Sequence, residues 1–123
     1  MTKPEPLVIT TFVRTYIVTT EIQAFSFYPK LWDSSGYSSL MLAASNNHPA
    51  IIDRLSKAGA AINQVEMTQG WTALIWAAKR GHREAVERLL RYPADREISD
   101  FSGMRALDWA RQNQFQEIVS LLE

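Results

Sequence analysis

Apolar residues recur along much of the chain in pairs of short segments with helical spacing. In the first pair, residues 38–46 and 49–57 each place apolar side chains on one face of a helix. Asn47 lies between them, where the chain leaves the first helix in a left-handed conformation that glycine and asparagine adopt most readily. Gly81 and Gln114 occupy the equivalent positions further along, although glutamine is the poorer choice. The pattern therefore predicts antiparallel pairs of helices.

The helix pairs themselves repeat with a nearly constant period. Gly36, Gly70 and Gly103 are separated by 34 and 33 residues, and a leucine follows each glycine by four. The positions that keep this spacing include Leu40, Leu74, Leu107, Leu55, Leu89, Leu122, Ile51, Ala85 and Ile118. A fixed period of this size indicates a stack of similar units in which each unit packs against its neighbours.

Small residues mark the places where neighbouring helices approach closely. The set consists of Ala43, Ala44, Ala77, Ala78 and Ala110, with Leu55, Leu89 and Leu90 filling the space behind them. Trp76 and Trp109 occupy equivalent repeat positions, and we expect both to be buried in the core.

The second unit carries a family resemblance. Its segment Gly70-Trp-Thr-Ala-Leu-Ile-Trp-Ala-Ala78, followed by Gly81-His82, resembles an ankyrin repeat, with Ala73 where the family usually has proline. The units that begin at Asp33 and Asp100 resemble the same motif. The resemblance implies a mainly α, ankyrin-repeat helical solenoid over residues 33–123, with repeats at about 33–65, 66–98 and 99–123. An N-terminal extension over residues 1–32 precedes it.

The N-terminal extension does not follow the repeat pattern. Residues 7–28 are rich in β-branched and aromatic side chains, which favours one or two strands, although residues 21–27 could form helical turns instead. The segment could cap the apolar end of the first repeat at Met41, Leu42 and Ile51. Alternatively, an unpaired strand in residues 7–28 could exchange with a second copy, giving a homodimer in which the solenoid is chiefly a scaffold.

The overall composition excludes several classes of function. The 123 residues are 46% hydrophobic and 21% charged, which is ordinary for one globular domain with a modest core. Thirteen basic and thirteen acidic residues cancel, so no net field favours nucleic acid or a membrane as a partner. Cysteine is absent, and no apolar run reaches the length of a membrane span. We therefore expect a cytoplasmic protein.

Residues that could carry catalysis or bind a metal are few. His48 and His82 occupy matching repeat positions, so we expect each to pack or hydrogen-bond at the start of a second helix. No further ligand lies at i+3 or i+4 from either histidine. The sequence therefore predicts no metal, no other cofactor and no enzymatic activity.

Other polar residues fit structural roles at turns and helix starts. Asp33 and Asp100 precede repeat glycines by three residues, where a carboxylate can bind the backbone amides of a turn. Ser38, Ser39 and Thr72 lie at helix starts, where we expect them to act as caps.

The densest charge lies in residues 79–91. Glutamates there precede arginines by four residues, so we expect the ion pairs Glu84–Arg88 and Glu87–Arg91 on a solvated helix face. Most of this run is therefore predicted to be ordinary surface.

The ankyrin resemblance also implies a binding surface, because partners of that family usually contact the concave side formed by turn tips and first helices. Carried over position by position, this surface comprises Tyr37, Asn46, Gln69, Trp71, Lys79, Arg80, Phe101 and Met104. Aromatic residues with arginine are typical of binding hot spots. Alternatively, Tyr37 and Trp71 stack along the turns and only shield the core. We predict a non-enzymatic module that binds an acidic or mixed-polarity surface of another protein, as an inhibitor, immunity protein or adaptor.

Overall fold

The computed structural model describes residues 34–123, and this part of the chain folds into three pairs of helices. In chain order they are α1 (Ser39–Ser45), α2 (Pro49–Lys57), α3 (Ala73–Arg80), α4 (Arg83–Arg91), α5 (Ala106–Gln112) and α6 (Gln116–Leu122). The first helices contact one another in the order α1, α3, α5, and the second helices in the order α2, α4, α6. The predicted helical solenoid of three repeats is therefore confirmed.

Local sequence accounts for where the helices begin. The side-chain oxygen of Ser38 accepts a hydrogen bond from the Met41 amide, and that of Thr72 accepts one from the Ile75 amide, each at 3.2 Å. Both residues are caps, as predicted. Ser39 is not a cap, because it is already the first helical residue of α1. Pro49 begins α2, where its missing N–H costs no helical hydrogen bond.

The turn inside each helix pair depends on one residue in the left-handed region. Asn47, Gly81 and Gln114 have φ values of 58°, 78° and 62°. The predicted left-handed conformation is thus present in all three repeats. It turns the chain sharply enough for the second helix to pack back against the first.

The core lies between the two layers of helices. The five alanines of the predicted set are all 0% exposed, which allows the first helices to lie close together. Leucine and isoleucine side chains complete the core, notably Leu40, Leu55, Leu74, Leu89, Ile52, Ile75 and Ile118. Leu90 is half-buried at its edge.

Trp76 and Trp109 are not core residues, and that prediction is wrong. Both are half-buried and pack against the outside of the core. Trp76 directly precedes the fully buried Ala77, and Trp109 directly precedes the fully buried Ala110. Successive residues of a helix point about 100° apart, so each indole projects beside the buried face of its helix. The rings therefore lie along the edge of the first-helix layer.

The predicted ion pairs Glu84–Arg88 and Glu87–Arg91 are also wrong. The structure instead pairs Arg88 with Asp53 of the preceding repeat, and Glu87 with Arg83 at 3.1 Å. Spacing within one helix does not determine the partner here, because the neighbouring repeat presents a closer carboxylate to Arg88.

The predictions for residues 1–32, including the cap and the strand exchange through residues 7–28, lie outside the described residues. So does Asp33. None of the helices within residues 34–123 is long and apolar enough to cross a membrane.

Candidate functional site

Asp100 organises the turn before α5 and joins two repeats. One carboxylate oxygen, Oδ1, accepts hydrogen bonds from the amides of Ser102 and Met104, both at 2.9 Å, and from the Ser102 hydroxyl at 2.6 Å. The other oxygen, Oδ2, accepts the indole N–H groups of Trp71 and Trp109, each at 2.8 Å. The predicted role of Asp100 in the turn is confirmed. In addition, the same carboxylate bridges two tryptophans, which the sequence did not predict.

The pKa of Asp100 shows how strongly these donors stabilise the charged form. Burial alone would raise the pKa of this carboxyl, which is 6% exposed. The hydrogen bonds from Ser102, Met104, Trp109 and Trp71 outweigh burial and lower the pKa to about 2. The bridging group is therefore a carboxylate at any physiological pH.

Glu66 has the corresponding role in the second repeat and was missed by the sequence analysis. Its side chain is 1% exposed and accepts hydrogen bonds from the amides of Thr68, Gln69 and Trp71 at 2.8, 2.7 and 3.2 Å. Burial opposes ionisation, but the bonds from these donors and from the Thr68 hydroxyl lower the pKa of Glu66. The available signal was a lone acidic residue shortly before Gly70.

Four aromatic side chains form a continuous row across the three repeats. Tyr37 and Trp76 have ring centroids 5.5 Å apart, Trp76 and Trp71 4.6 Å, and Trp71 and Trp109 5.9 Å. Every pair is edge-to-face, with interplanar angles of 89°, 90° and 83°. All four rings are half-buried, so each keeps part of its surface in contact with solvent.

Two cations at the end of α3 lie over these rings. The Lys79 ammonium is 5.0 Å from the centroid of Trp71 and 5.1 Å from that of Trp109. The Arg80 guanidinium carbon is 5.3 Å from the centroid of Trp76, and its Nη1 donates to the Ser45 carbonyl at 3.4 Å. At these distances the ring quadrupoles attract the charges. We call the four aromatic residues, Lys79 and Arg80 together the tryptophan strip.

Four of the eight predicted binding residues, Tyr37, Trp71, Lys79 and Arg80, belong to this strip. Tyr37 also has a hydrogen-bond contact between its hydroxyl and that of Ser45 at 3.0 Å. The structure therefore brings together both basic members of the predicted surface and two of its three aromatic members, Tyr37 and Trp71.

The other four predicted residues lie at the turns and at the end of α1. Asn46 is exposed, but its amide nitrogen is turned back to the Leu42 carbonyl at 2.8 Å. Gln69 is exposed, and its carbonyl accepts the Phe101 amide at 3.0 Å. Met104 is half-buried and contributes its backbone amide to Asp100.

Phe101 is the most exposed aromatic side chain of the described residues, at 67%. Its ring lies against the backbone of Gly70, where an added Cβ would be 2.6 Å from the ring. Gly70 also has a φ of +75°, so two independent constraints favour glycine there. Phe101 therefore covers a turn of the second repeat from the third.

The two histidines occupy matching positions at the starts of α2 and α4. His82 Nε2 lies 3.0 Å from the Ser45 carbonyl, a hydrogen bond between the first two repeats that confirms its predicted structural role. Burial, and secondarily the nearby His82, lowers the pKa of His48. Within residues 34–123 no three histidine, aspartate or glutamate side chains converge as metal ligands would.

Comparison with known proteins agrees with the repeat architecture. A family model described as "Ankyrin repeats (3 copies)" matches residues 27–123. Ankyrin repeat domain-containing protein 40 of Mus musculus is 32% identical over 72 residues, which are 58% of this chain and 20% of that protein. Putative palmitoyltransferase ZDHHC13 of Danio rerio is 34% identical over 90 residues, 73% of this chain and 14% of that protein.

A third relative, the NAD-capped RNA hydrolase NUDT12 of Homo sapiens, is 36% identical over 80 residues, 65% of this chain and 17% of that protein. The chain spans a fifth or less of the length of these relatives. Ankyrin repeats are a general module for protein–protein interaction. With the family match extending over most of the sequence and three helix pairs in the structure, the chain belongs to the ankyrin-repeat family.

Proposed function

We propose that this chain is a non-enzymatic module that binds a partner protein through the tryptophan strip and the neighbouring turns. The observation that carries the proposal is the continuous aromatic row with Lys79 and Arg80 placed over its rings. Tryptophan, tyrosine and arginine dominate the energetics of protein interfaces, because they combine large apolar area with directional polar groups.

The geometry also lowers the entropic cost of binding. The indoles of Trp71 and Trp109 are fixed by their common acceptor Asp100, and Arg80 is held by both Trp76 and the Ser45 carbonyl. Side chains that are already ordered lose little freedom when a partner arrives. A partner could therefore gain most of the contact energy that the strip offers.

The biological role follows from the partner and not from the scaffold, since one repeat architecture serves many targets. An adaptor, an inhibitor of an enzyme and an immunity protein are all compatible with a rigid binding strip. A cytoplasmic location remains part of the proposal. The remaining predicted residues, Asn46, Gln69, Phe101 and Met104, are proposed as the rim of the same surface.

The test is affinity capture from native lysate with the unmodified chain and with a Lys79→Ala, Arg80→Ala double variant. Alanine is a good helix former, so truncation at the end of α3 should leave the fold intact. We expect a partner that the unmodified chain retains to be lost by the double variant. Circular dichroism must show the same helix content for both proteins.

A matched control is Arg83→Ala, Arg91→Ala, which removes two cations from α4. Both arginines are exposed and lie outside the strip. The control should retain the partner. Equal loss from both double variants would point to a general effect of charge or stability, and retention by both would place the binding surface elsewhere.

The alternative of a homo-oligomeric scaffold through residues 7–28 is tested separately by light scattering. A molar mass that stays at 14.0 kDa across micromolar concentrations would exclude it. A concentration-dependent mass near twice that value would favour it over the binding module.

A further inference from the structure

Lys79 and Arg80 lie over aromatic rings and form no ion pair within residues 34–123. Ion pairs within residues 34–123 engage Arg83, Arg88, Arg105 and Arg111. None of those ion pairs involves Lys79 or Arg80. The strip therefore presents two positive charges that no carboxylate in the described chain neutralises.

Asp100, the carboxylate that accepts hydrogen bonds from the strip's indoles, does not neutralise Lys79 or Arg80 either. Its Oδ2 is occupied by the N–H groups of Trp71 and Trp109, and its Oδ1 by the turn. Asp100 is 6% exposed, so it binds the two indole N–H groups from the buried side of the strip. Lys79 lies over the faces of the same two rings. The solvent-facing side of the strip is thus cationic although the whole chain has no net charge.

The two charges are displaced from each other along the stack of repeats. Lys79 lies over the pair Trp71 and Trp109, towards the third repeat, while Arg80 lies over Trp76, towards the first. Both stand on a ring surface that attracts cations without neutralising them. An incoming carboxylate could therefore reach either charge without first breaking an ion pair of the protein.

From this charge pattern we infer that the tryptophan strip selects an acidic protein segment, with one carboxylate at Lys79 and another at Arg80. The inference rests on the proposed function and specifies the chemistry of its partner. The ring centroids beneath the two charges are 4.6 Å apart for Trp76 and Trp71 and 5.9 Å apart for Trp71 and Trp109. An extended segment advances about 3.3 Å per residue, so carboxylates about two to four residues apart match separations of this order. The exposed edges of the indoles would then contact the apolar parts of the side chains between them.

Nucleic acid fits the same charges less well. Sequence-independent binding to a phosphate backbone depends on many cations that release counterions, and the strip offers two. A single-stranded oligonucleotide therefore belongs in the test as the competing outcome.

The experiment uses the full chain labelled with nitrogen-15 and three synthetic ten-residue peptides. Each peptide carries two glutamates, two, three or four residues apart, in an alanine–serine background, and a matched peptide carries glutamine at the same positions. Binding is followed through the indole N–H resonances of Trp71, Trp76 and Trp109. Four tryptophans are present in the chain, so these signals can be assigned by single Trp→Phe substitutions.

We expect at least one glutamate peptide to shift these indole resonances and its glutamine counterpart to bind at least about fivefold more weakly. Binding should weaken further when the salt concentration is raised to about 0.5 M, because exposed charges are screened. The Lys79→Gln, Arg80→Gln variant removes both charges and should reduce the affinity at least about tenfold. The matched Arg83→Gln, Arg91→Gln variant should bind like the unmodified chain.

Three results would overturn the inference: no shift with any glutamate peptide at millimolar concentration, equal binding of glutamate and glutamine peptides, or tighter binding of a ten-residue oligothymidine. Failure here is distinguishable from failure of the proposed function. A lysate partner lost by the alanine double variant but kept by the glutamine double variant would leave the strip as the binding surface without selection for acidic segments.

Discussion

The two junctions between repeats are tied by carboxylates that lie in different parts of the repeat. At the first junction, Asp53 on α2 accepts hydrogen bonds from Arg88 and, at 2.7 Å, from the Tyr92 hydroxyl of the second repeat. At the second junction, Asp100 in a turn joins Trp71 and Trp109. The first tie lies on the second-helix layer, whereas the second lies beneath the tryptophan strip. Similar repeats can thus be joined by different residues. Of the two carboxylates, Asp100 alone binds side chains of the tryptophan strip.

The difference extends to two tryptophans that occupy the same repeat position. Trp109 donates its indole N–H to Asp100, whereas the buried Nε1 of Trp76 has no hydrogen-bond acceptor among the described residues. The position equivalent to Asp100 in the second repeat, 33 residues earlier, is Met67, which is 68% exposed. Glu66 stabilises that turn instead but accepts from no indole. The strip is therefore fixed more firmly at its Trp109 end.

Asp100→Ala is the substitution with the largest expected effect on this difference. The substitution leaves two turn amides and two indole N–H groups without their acceptor, and each buried unsatisfied donor costs about 1–3 kcal/mol if water cannot reach it. With partial access of water, we expect the free energy of unfolding to fall by about 3 kcal/mol. Urea unfolding followed by circular dichroism measures the change. A loss below that of Asp53→Ala would contradict the stronger tie assigned to the second junction.

Acid should weaken the second junction through the same carboxylate. The folded-state pKa of Asp100 is about 2, below the ordinary 3.8, so its contribution is complete above pH 3.8 and is lost as the pH falls towards 2. That difference corresponds to roughly 2 kcal/mol. Asp100→Asn should therefore flatten the acid dependence of urea unfolding between these pH values. Part of the dependence of unfolding on pH should persist in this variant, because the pKa of Glu66 is also lowered in the folded state. An unchanged acid profile in the variant would contradict the assignment.

Asp53→Ala tests the tie at the first junction and should have a smaller effect. Its partners Arg88 and Tyr92 are half-buried, so water can replace the lost hydrogen bonds. We expect a loss of about 1 kcal/mol in the free energy of unfolding. The indole resonances of Trp71 and Trp109 should stay in place, which Asp100→Ala would not allow. Movement of those resonances in Asp53→Ala would show that the two ties are coupled.

The smallest expected effect is a gain at the turn within the third helix pair. Gln114 has a φ of 62°, a conformation that costs a residue with a Cβ about 1–2 kcal/mol, partly offset by the extra chain entropy that glycine loses on folding. Gln114→Gly should raise the free energy of unfolding by about 0.5 kcal/mol. Asn47→Gly is the control at the first pair, because asparagine tolerates this conformation and its amide donates to Glu84 at 3.2 Å. A larger gain at Asn47 than at Gln114 would contradict this explanation.

The helices were predictable because their determinants are local. Residues 38–46 and 49–57 were predicted as helices, and the structure has Ser39–Ser45 and Pro49–Lys57. Apolar spacing, caps and left-handed residues lie within a few positions of the structure they specify. The same holds for Asp100, whose turn hydrogen bonds reach two and four residues ahead.

Contacts between repeats were less accessible from the sequence. Arg88 pairs with Asp53, 35 residues away, and not with the glutamate one helical turn earlier. Trp76 and Trp109 were predicted to be buried from their repeat position, but that position lies at the edge of the buried face in this structure. Glu66 was overlooked because it lies one residue before the position that Asp100 occupies in its own repeat. In each case the deciding neighbour comes from another helix or from a small shift in register.

Asp100 also links the opening of one repeat to that of another. If the third repeat swung away from the second, the indole N–H of Trp71 would lose its acceptor, because Asp100 belongs to the third repeat. A terminal repeat that is held by apolar contacts alone can open locally at a small cost in free energy. The hydrogen bond to the shared acceptor Asp100 raises the free energy of that opening. Backbone amides in α5 should therefore exchange with solvent at the rate at which α3 opens. The second and third repeats then form one cooperative unit, and the tryptophan strip is as rigid as that unit.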